Sequence, residues 1–356
     1  MKTEEKQLFK SLCNFKSERF DQDLLKFATP EVLGHLFFNR MQAIAYGRLR
    51  DTGLLGKVNR EFRNSLHLAY EQNIDKNNSF YWCVKYLDEI LSKCNCKYAL
   101  LKGAYLCYRY PIGYRTSSDI DILVSPSDVT QIGNILSVSG FKQGNIRNGE
   151  FIPATRKEII ESKMLRGETI PYIKEINFPN MKYLEVDINF SLDYKNSITN
   201  PLDKMLERAY KRKIRDADVM TLDEGDFFAH LCAHLYKEAS TLPWVEMMRD
   251  MTLYKYSDIY LLLEDMSAPK FEIVLERAKS LGLENECAFA IIQTSELFDL
   301  SNRLALDMSR QILENDCNYI HRVISPKDNK TFIFTEKNIF ERFFAVSRKE
   351  MLTEEN

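Results

Sequence analysis

Leu100-Leu101-Lys102-Gly103-Ala104 and, ten residues on, Arg115-Thr116-Ser117-Ser118-Asp119-Ile120-Asp121-Ile122-Leu123-Val124 decide how this chain folds. The first stretch reads as a strand ending in a glycine turn that opens a helix. The second reads as a strand with two carboxylates. Side chains alternate across a strand, so Asp119 and Asp121 share one face while Ile120 and Ile122 point to the core. Two carboxylates about 4 Å apart repel by roughly 1 kcal/mol in water and about 4 kcal/mol at an effective dielectric of 20. A divalent cation relieves that repulsion and makes the pair useful. The glycine turn supplies backbone N–H groups at a helix start, which suit an anion. Together the two stretches point to metal-assisted chemistry on a nucleoside triphosphate.

Working outward, residues 97–101 are the first strand and residues 104–110 a short helix stopped by Pro111. Ser125-Pro126-Ser127-Asp128 starts a helix that runs to Ser139, with Gly140 closing it. Residues 142–180 are polar, contain Gly144, Gly149 and Gly167, and read as a hairpin or an insertion. Tyr183-Leu184-Glu185-Val186-Asp187-Ile188-Asn189-Phe190 alternates apolar and polar residues and is a third strand, again acidic. Residues 1–95 carry apolar residues at helical spacing, with a break expected at Asn77-Asn78-Ser79. Beyond Met220 the pattern is helical once more. Thr221-Leu222-Asp223-Glu224 fits a capping box with Thr221 as N-cap, and helices are expected over 252–266, 271–281, 286–298 and 305–317. The expected class is α+β: a small mixed β-sheet core at residues 96–220 between an N-terminal helical segment, 1–95, and a C-terminal one, 221–356.

At 356 residues, 45% hydrophobic and 28% charged, the composition is that of a globular protein of about two domains. A formal net charge of −2 gives no global pull toward nucleic acid, which is therefore disfavoured as a partner. Met1-Lys2-Thr3-Glu4-Glu5-Lys6 lacks the apolar run of a signal peptide, and no stretch approaches the ~18 apolar residues of a membrane span. The expected compartment is the cytoplasm. The eight cysteines include no C-x-x-C pair, so they read as small buried hydrophobes rather than as a zinc ribbon or a disulfide framework.

A D-x-D alone is weak, because 51 acidic residues in 356 produce roughly seven acid-x-acid matches by chance. Context strengthens it: strand, glycine turn, acidic strand, then a further acidic strand. In that arrangement the chain resembles the nucleotidyltransferase superfamily that includes DNA polymerase beta, and within it the branch of uncharacterised nucleotidyltransferases. Leu101-Lys102-Gly103 resembles the branch's "LKG", Arg115 to Val124 its "R…DIDLLV" strand, and Asp187-Ile188-Asn189-Phe190 its "E-L-H-W". The resemblance implies that Asp119, Asp121 and Asp187 are catalytic and hold Mg²⁺, with Mn²⁺ as the alternative. It implies that Lys102, Gly103, Ala104, Arg115 and Ser118 border the triphosphate of an NTP donor. Ala104 departs from the superfamily's Ser or Gly, and Asn189 from the branch's His. Glu185, two residues before Asp187 on the same face, competes for the third-carboxylate role.

Two further clusters stand out. His230 and His234 are i and i+4 on one helix, with Asp258 a candidate third ligand for a metal. Packing in a helix seam is the preferred reading, and the resemblance puts all three on the acceptor side. Lys204, Arg208, Lys211, Arg212, Lys213 and Arg215 could meet a triphosphate tail, a phosphorylated acceptor or RNA. A solvated helix face, balanced by Asp203, Glu207 and Asp216, is preferred. The expected activity is transfer of a nucleoside monophosphate from an NTP to a non-polymeric acceptor, a small molecule, sugar phosphate or protein or peptide side chain, with release of pyrophosphate. The alternatives are a transferase of phosphate or sugar-phosphate units to a phosphorylated peptide or metabolite, and a non-catalytic nucleotide-binding or toxin–antitoxin partner.

Overall fold

A computed structural model gives the fold and describes residues 1–192 and 202–355. Contacts divide the chain into two compact units, one of residues 71–227 and one combining residues 1–70 with 228–356.

The unit of residues 71–227 is built on a mixed sheet, eight-stranded among the described residues. Its strands are β1 (Tyr98–Leu100), β2 (Asp119–Val124), β3 (Lys142–Arg147), β4 (Glu150–Pro153), β5 (Tyr172–Phe178), β6 (Met181–Asn189), β7 (Tyr210–Ile214) and β8 (Ala217–Thr221). The order is β4-β3-β5-β6-β2-β1-β8-β7. β2 runs antiparallel to β1 and parallel to β6, so the two acidic strands lie side by side in the middle of the sheet. Ile120, Ile122, Val186 and Ile188 are completely buried, as alternation requires. Residues 142–180 do form a hairpin, β3–β4, and then a helix, Arg156–Arg166, and β5. They therefore extend the sheet rather than stand apart from it.

Three local expectations are corrected. The helix Arg60–Leu91 runs unbroken through Asn77-Asn78-Ser79. Those polar side chains tie the helix to neighbouring loops instead of ending it: the Asn77 amide donates to the Arg115 carbonyl at 2.9 Å and accepts from Gly113 N–H at 3.1 Å, and Ser79 donates to the Pro179 carbonyl at 2.8 Å. Thr221 is not a helix cap. It ends β8, and its hydroxyl donates to the Leu100 carbonyl across the β1–β8 pair, while Asp223 caps the helix Glu224–Ala239 by accepting from Asp226 N–H at 2.8 Å. Lys211, Arg212 and Lys213 lie on strand β7, and Arg215 in the hairpin loop that follows, so the basic residues form no continuous helix face.

The other unit is mainly helical, with Leu253–Glu264, Ala268–Leu281, Glu284–Leu297 and Arg303–Ile312 close to the expected spans. It also carries a small sheet of β9 (Arg322–Ile324), β10 (Thr331–Phe334) and β11 (Leu352–Glu354), in the order β11-β10-β9. Val323 and Phe334 of that sheet pack on Val245. No described helix is long and apolar enough to cross a membrane.

Candidate active site

The parallel register of β2 and β6 sets Asp119 opposite Glu185 and Asp121 opposite Asp187. Neighbouring strands are about 4.8 Å apart and alternate residues on a strand about 6.6 Å, so four carboxylates occupy one patch of the sheet face. A fifth arrives from elsewhere. Glu168 bridges to Asn189 at the end of β6, and its charge is felt by Asp187. Nothing in the local sequence marks Glu168; only strand pairing brings it in.

Lys102 supplies the counter-charge. Its ammonium donates to Asp121 Oδ1 at 2.8 Å, and Asn189 Nδ2 donates to the same oxygen at 3.2 Å. The backbone of Lys102 is strained, at φ 42° and ψ −113°, a conformation that suits glycine rather than a side-chain-bearing residue. Gly103 next to it has no room for a side chain: a Cβ there would stand 2.6 Å from Ser117 Cβ. That close approach seats Ser117, whose hydroxyl donates to Asp119 Oδ1 at 2.9 Å. The glycine turn thus holds the start of β2 in place. The helix it opens, Gly103–Leu106, is a single turn.

The carboxylates are not equivalent. Surrounding protein raises Asp119, but Lys102, the Ser117 hydroxyl and Arg115 outweigh it and hold the group below the usual aspartate range. Asp187 is pushed well up, first by burial and then by the charges of Asp121, Asp119 and Glu168, against which Lys102 pulls only weakly. Glu185 is raised by burial and by Asp119. A site that keeps Asp119 ionised and Asp187 reluctant to ionise is short of positive charge.

That shortage is the test of fit for a divalent cation. The donors are all carboxylate oxygens, which suit Mg²⁺ or Mn²⁺ rather than a soft metal. Among the described residues no three His, Cys, Asp or Glu side chains already converge as a metal-binding group. Asp121 instead holds the Lys102 ammonium. The donor chemistry and the unmet charge of Asp187 fit a hard cation, to which Asp119, Asp121 and Asp187 are the ligands on offer.

Of the other residues marked in the sequence, Ala104 is buried beside Gly103, and Arg115 is buried with its guanidinium on the Thr116 carbonyl. Ser118 is exposed and accepts from Lys76 at 2.6 Å. His230, His234 and Asp258 belong to the other unit. There His230 and Asp258 are buried, and His234 Nε2 lies 3.4 Å from Glu238, which also pairs with Lys255. Arg208 has left the basic cluster to clamp the fully buried Asp226 at 2.7 and 2.8 Å.

A family model described as an uncharacterised nucleotidyltransferase matches residues 28–299, a span that takes in every one of these residues. No curated protein matches the chain. Among solved structures, the antibiotic-resistance factor ANT(2'')-Ia is similar at 10% identity over 57% of this chain and 93% of its own, with a TM-score of 0.32. An antigenic nucleotidyltransferase-like protein from Paracoccidioides brasiliensis is similar at 15% identity over 58% of this chain and 88% of its own, also with a TM-score of 0.32. Likenesses that distant support no inference about chemistry.

Proposed function

The chain belongs to the uncharacterised nucleotidyltransferase family, and from that premise we propose that it transfers a nucleoside monophosphate from an NTP to a non-polymeric acceptor, releasing pyrophosphate, on the carboxylate face of β2 and β6. The observation that carries this reading is the register that sets Asp121 beside Asp187, one step from Asp119 beside Glu185. An acceptor hydroxyl or similar nucleophile attacks the α-phosphorus, the bond to the bridging oxygen of the departing pyrophosphate breaks, and the acceptor's proton goes to Asp187. Lys102, strained and held at the patch by Asp121, is positioned to exchange that contact for a phosphate oxygen. Mg²⁺, held by Asp119, Asp121 and Asp187 when bound, would polarise phosphoryl oxygens and stabilise charge on the leaving group.

A small-molecule, sugar-phosphate or peptide acceptor is favoured over nucleic acid by the net charge of −2. A cytoplasmic setting, where NTPs are plentiful, goes with this reading. The acceptor-side assignment of His230, His234 and Asp258 rests on the resemblance alone. His234→Ala tests it by weakening acceptor use without weakening nucleotide binding; equal loss of both identifies a packing residue.

The reaction is tested by incubating the protein with each NTP and Mg²⁺ and measuring pyrophosphate, with EDTA and Asp187→Asn as controls. Metal-dependent pyrophosphate release and a product heavier by a nucleoside monophosphate are expected. A product heavier by phosphate alone, or nucleotide binding by calorimetry that is the same in EDTA and in Mg²⁺, overturns the mechanism.

A further inference from the structure

Within the unit of residues 71–227 a cavity of about 360 Å³ lies between the turn after Gly103–Leu106 and the β7–β8 hairpin. Arg109, Arg212, Lys213 and Arg215 line it together with Tyr105 and Tyr108, and no carboxylate is among its lining residues. None of the carboxylates of the candidate active site, nor Lys102, Gly103 or Arg115, takes part in it. The volume is that of a small-molecule site.

Two of the arginines are fixed in place rather than waving in solvent. Arg212 lies over the Tyr105 ring at 4.5 Å and the Tyr210 ring at 5.1 Å; its Nη1 donates both to the Tyr105 hydroxyl at 2.7 Å and to Glu224 at 3.3 Å, and its Nη2 donates to the Tyr210 hydroxyl. Its Nε is buried and has no hydrogen-bond partner among the described residues. Arg215 lies over Tyr81 at 4.9 Å and Tyr108 at 5.5 Å and spends one donor on Asn78 at 3.3 Å. Stacking on rings holds the Arg215 guanidinium plane and leaves an edge of it to meet a bidentate acceptor, whereas both terminal nitrogens of Arg212 are engaged and it contributes charge rather than a fork. Arg215 also occupies the tip of a two-residue hairpin at φ 54°, a backbone that favours glycine or asparagine. A long cation sits where the turn itself would prefer a small residue.

We propose that this cavity is a second anion site that binds a phosphate-bearing ligand, with Arg215 as the guanidinium that grips the phosphate and Arg109, Arg212 and Lys213 adding positive charge around it. The ligand chemistry has two sources under the transferase reading: the triphosphate tail of the donor, or the phosphate of a phosphorylated acceptor. Only the choice between them rests on that reading; the site itself does not.

Inorganic pyrophosphate, titrated by calorimetry in EDTA so that the carboxylate patch repels it, is the probe. Binding that weakens as salt is raised is expected, with at least a tenfold loss in Arg215→Gln and in Arg109→Gln at unchanged melting temperature, and none in Asp187→Asn. No binding, or binding that survives both arginine substitutions, overturns the proposal. So does loss of binding in Asp187→Asn, which would put the ion on the carboxylate patch. Displacement of pyrophosphate by metal-free ATP assigns the cavity to the donor, and displacement by glucose 6-phosphate but not by ATP assigns it to a phosphorylated acceptor. Displacement by neither reduces the site to an inorganic ion and rejects a ligand role. Failure of pyrophosphate release in the activity assay with this binding intact rejects the transfer reaction alone.

Discussion

At the scale of single residues, the charge imbalance falls on Asp187 rather than on the D-x-D itself. From the sequence, Asp121→Asn is the natural way to relieve repulsion within the pair. In the structure Asp121 is the best-compensated carboxylate, held by Lys102 and Asn189, so its replacement strands an ammonium. Asp187→Asn is the cleaner probe. Transfer should fall by roughly 10²–10⁴-fold, the usual contribution of a positioned acid or base. Stability should rise at neutral pH, and the sign follows from linkage. The folded Asp187 carboxyl titrates above its ordinary 3.8, so its stabilising contribution is full below 3.8 and is lost as pH rises through the higher folded value. Thermal melts should therefore show the variant above the wild type at pH 8 and the two nearly equal at pH 4. A gap that does not change with pH would mean that Asp187 is not strained by charge. Lys102 allows a second separation, of backbone from ammonium. Lys102→Gly and Lys102→Met both lose the charge, but only glycine relaxes φ 42°, so the glycine variant should be more stable by about 1–2 kcal/mol in denaturant melts.

At the scale of elements, β2 and β6 were legible because acidic and apolar residues alternate along them with period two, and β1 because a short apolar run ends in the glycine turn. The carboxylates were legible as one face from that alternation. Strands β7 and β8 were not. Lys204, Arg208, Lys211, Arg212 and Arg215 fall at helical spacing by coincidence, and the Arg215-Asp216 turn carries no glycine or asparagine to announce a hairpin. Strands β9 to β11, at three or four residues each, are too short for any period to show. Glu168 reaches the patch through a bridge to β6 that no local pattern records. Gly103 was legible as important from the turn alone, and the structure adds a packing reason: a Cβ there would stand 2.6 Å from Ser117 Cβ. Gly103→Ala should cost about 1–3 kcal/mol by overpacking, because the atom in its way is a Cβ near the backbone rather than a flexible side-chain tip. It should also lower transfer by displacing the Ser117 contact to Asp119. A variant of unchanged melting temperature would show that the turn yields freely and does not position β2.

At the scale of the whole molecule, the two units differ in which buried groups respond to acid. In the unit of residues 71–227, Asp187 and Glu185 are raised, and burial lifts Asp226 to about 6 despite its clamp by Arg208. Each of these groups favours the folded state more as pH falls, and only the lowered Asp119 among the patch opposes them. The other unit also holds two carboxyls raised by burial, Asp250 and Glu296, but its His321 and Glu238 act in the opposite sense. Burial, then the charges of Arg342 and Lys337, depress His321 to about 4. Its contribution is present above 6.5 and is lost as pH falls toward 4. Glu238 adds to this: burial opposes its ionisation, but His234 and Lys255 hold it below the usual range, so it too loses stability in acid. The chain of residues 1–70 and 228–356 should therefore loosen first on acidification. Hydrogen exchange, corrected for intrinsic chemistry, should show its amides losing protection between pH 7 and 4.5 before those of residues 71–227. His321→Gln keeps a side chain able to accept from Arg342 but does not titrate, so it should remove part of the acid loss. If both units lose protection together and the variant changes nothing, the acid response belongs to the molecule as one cooperative body and not to these buried groups.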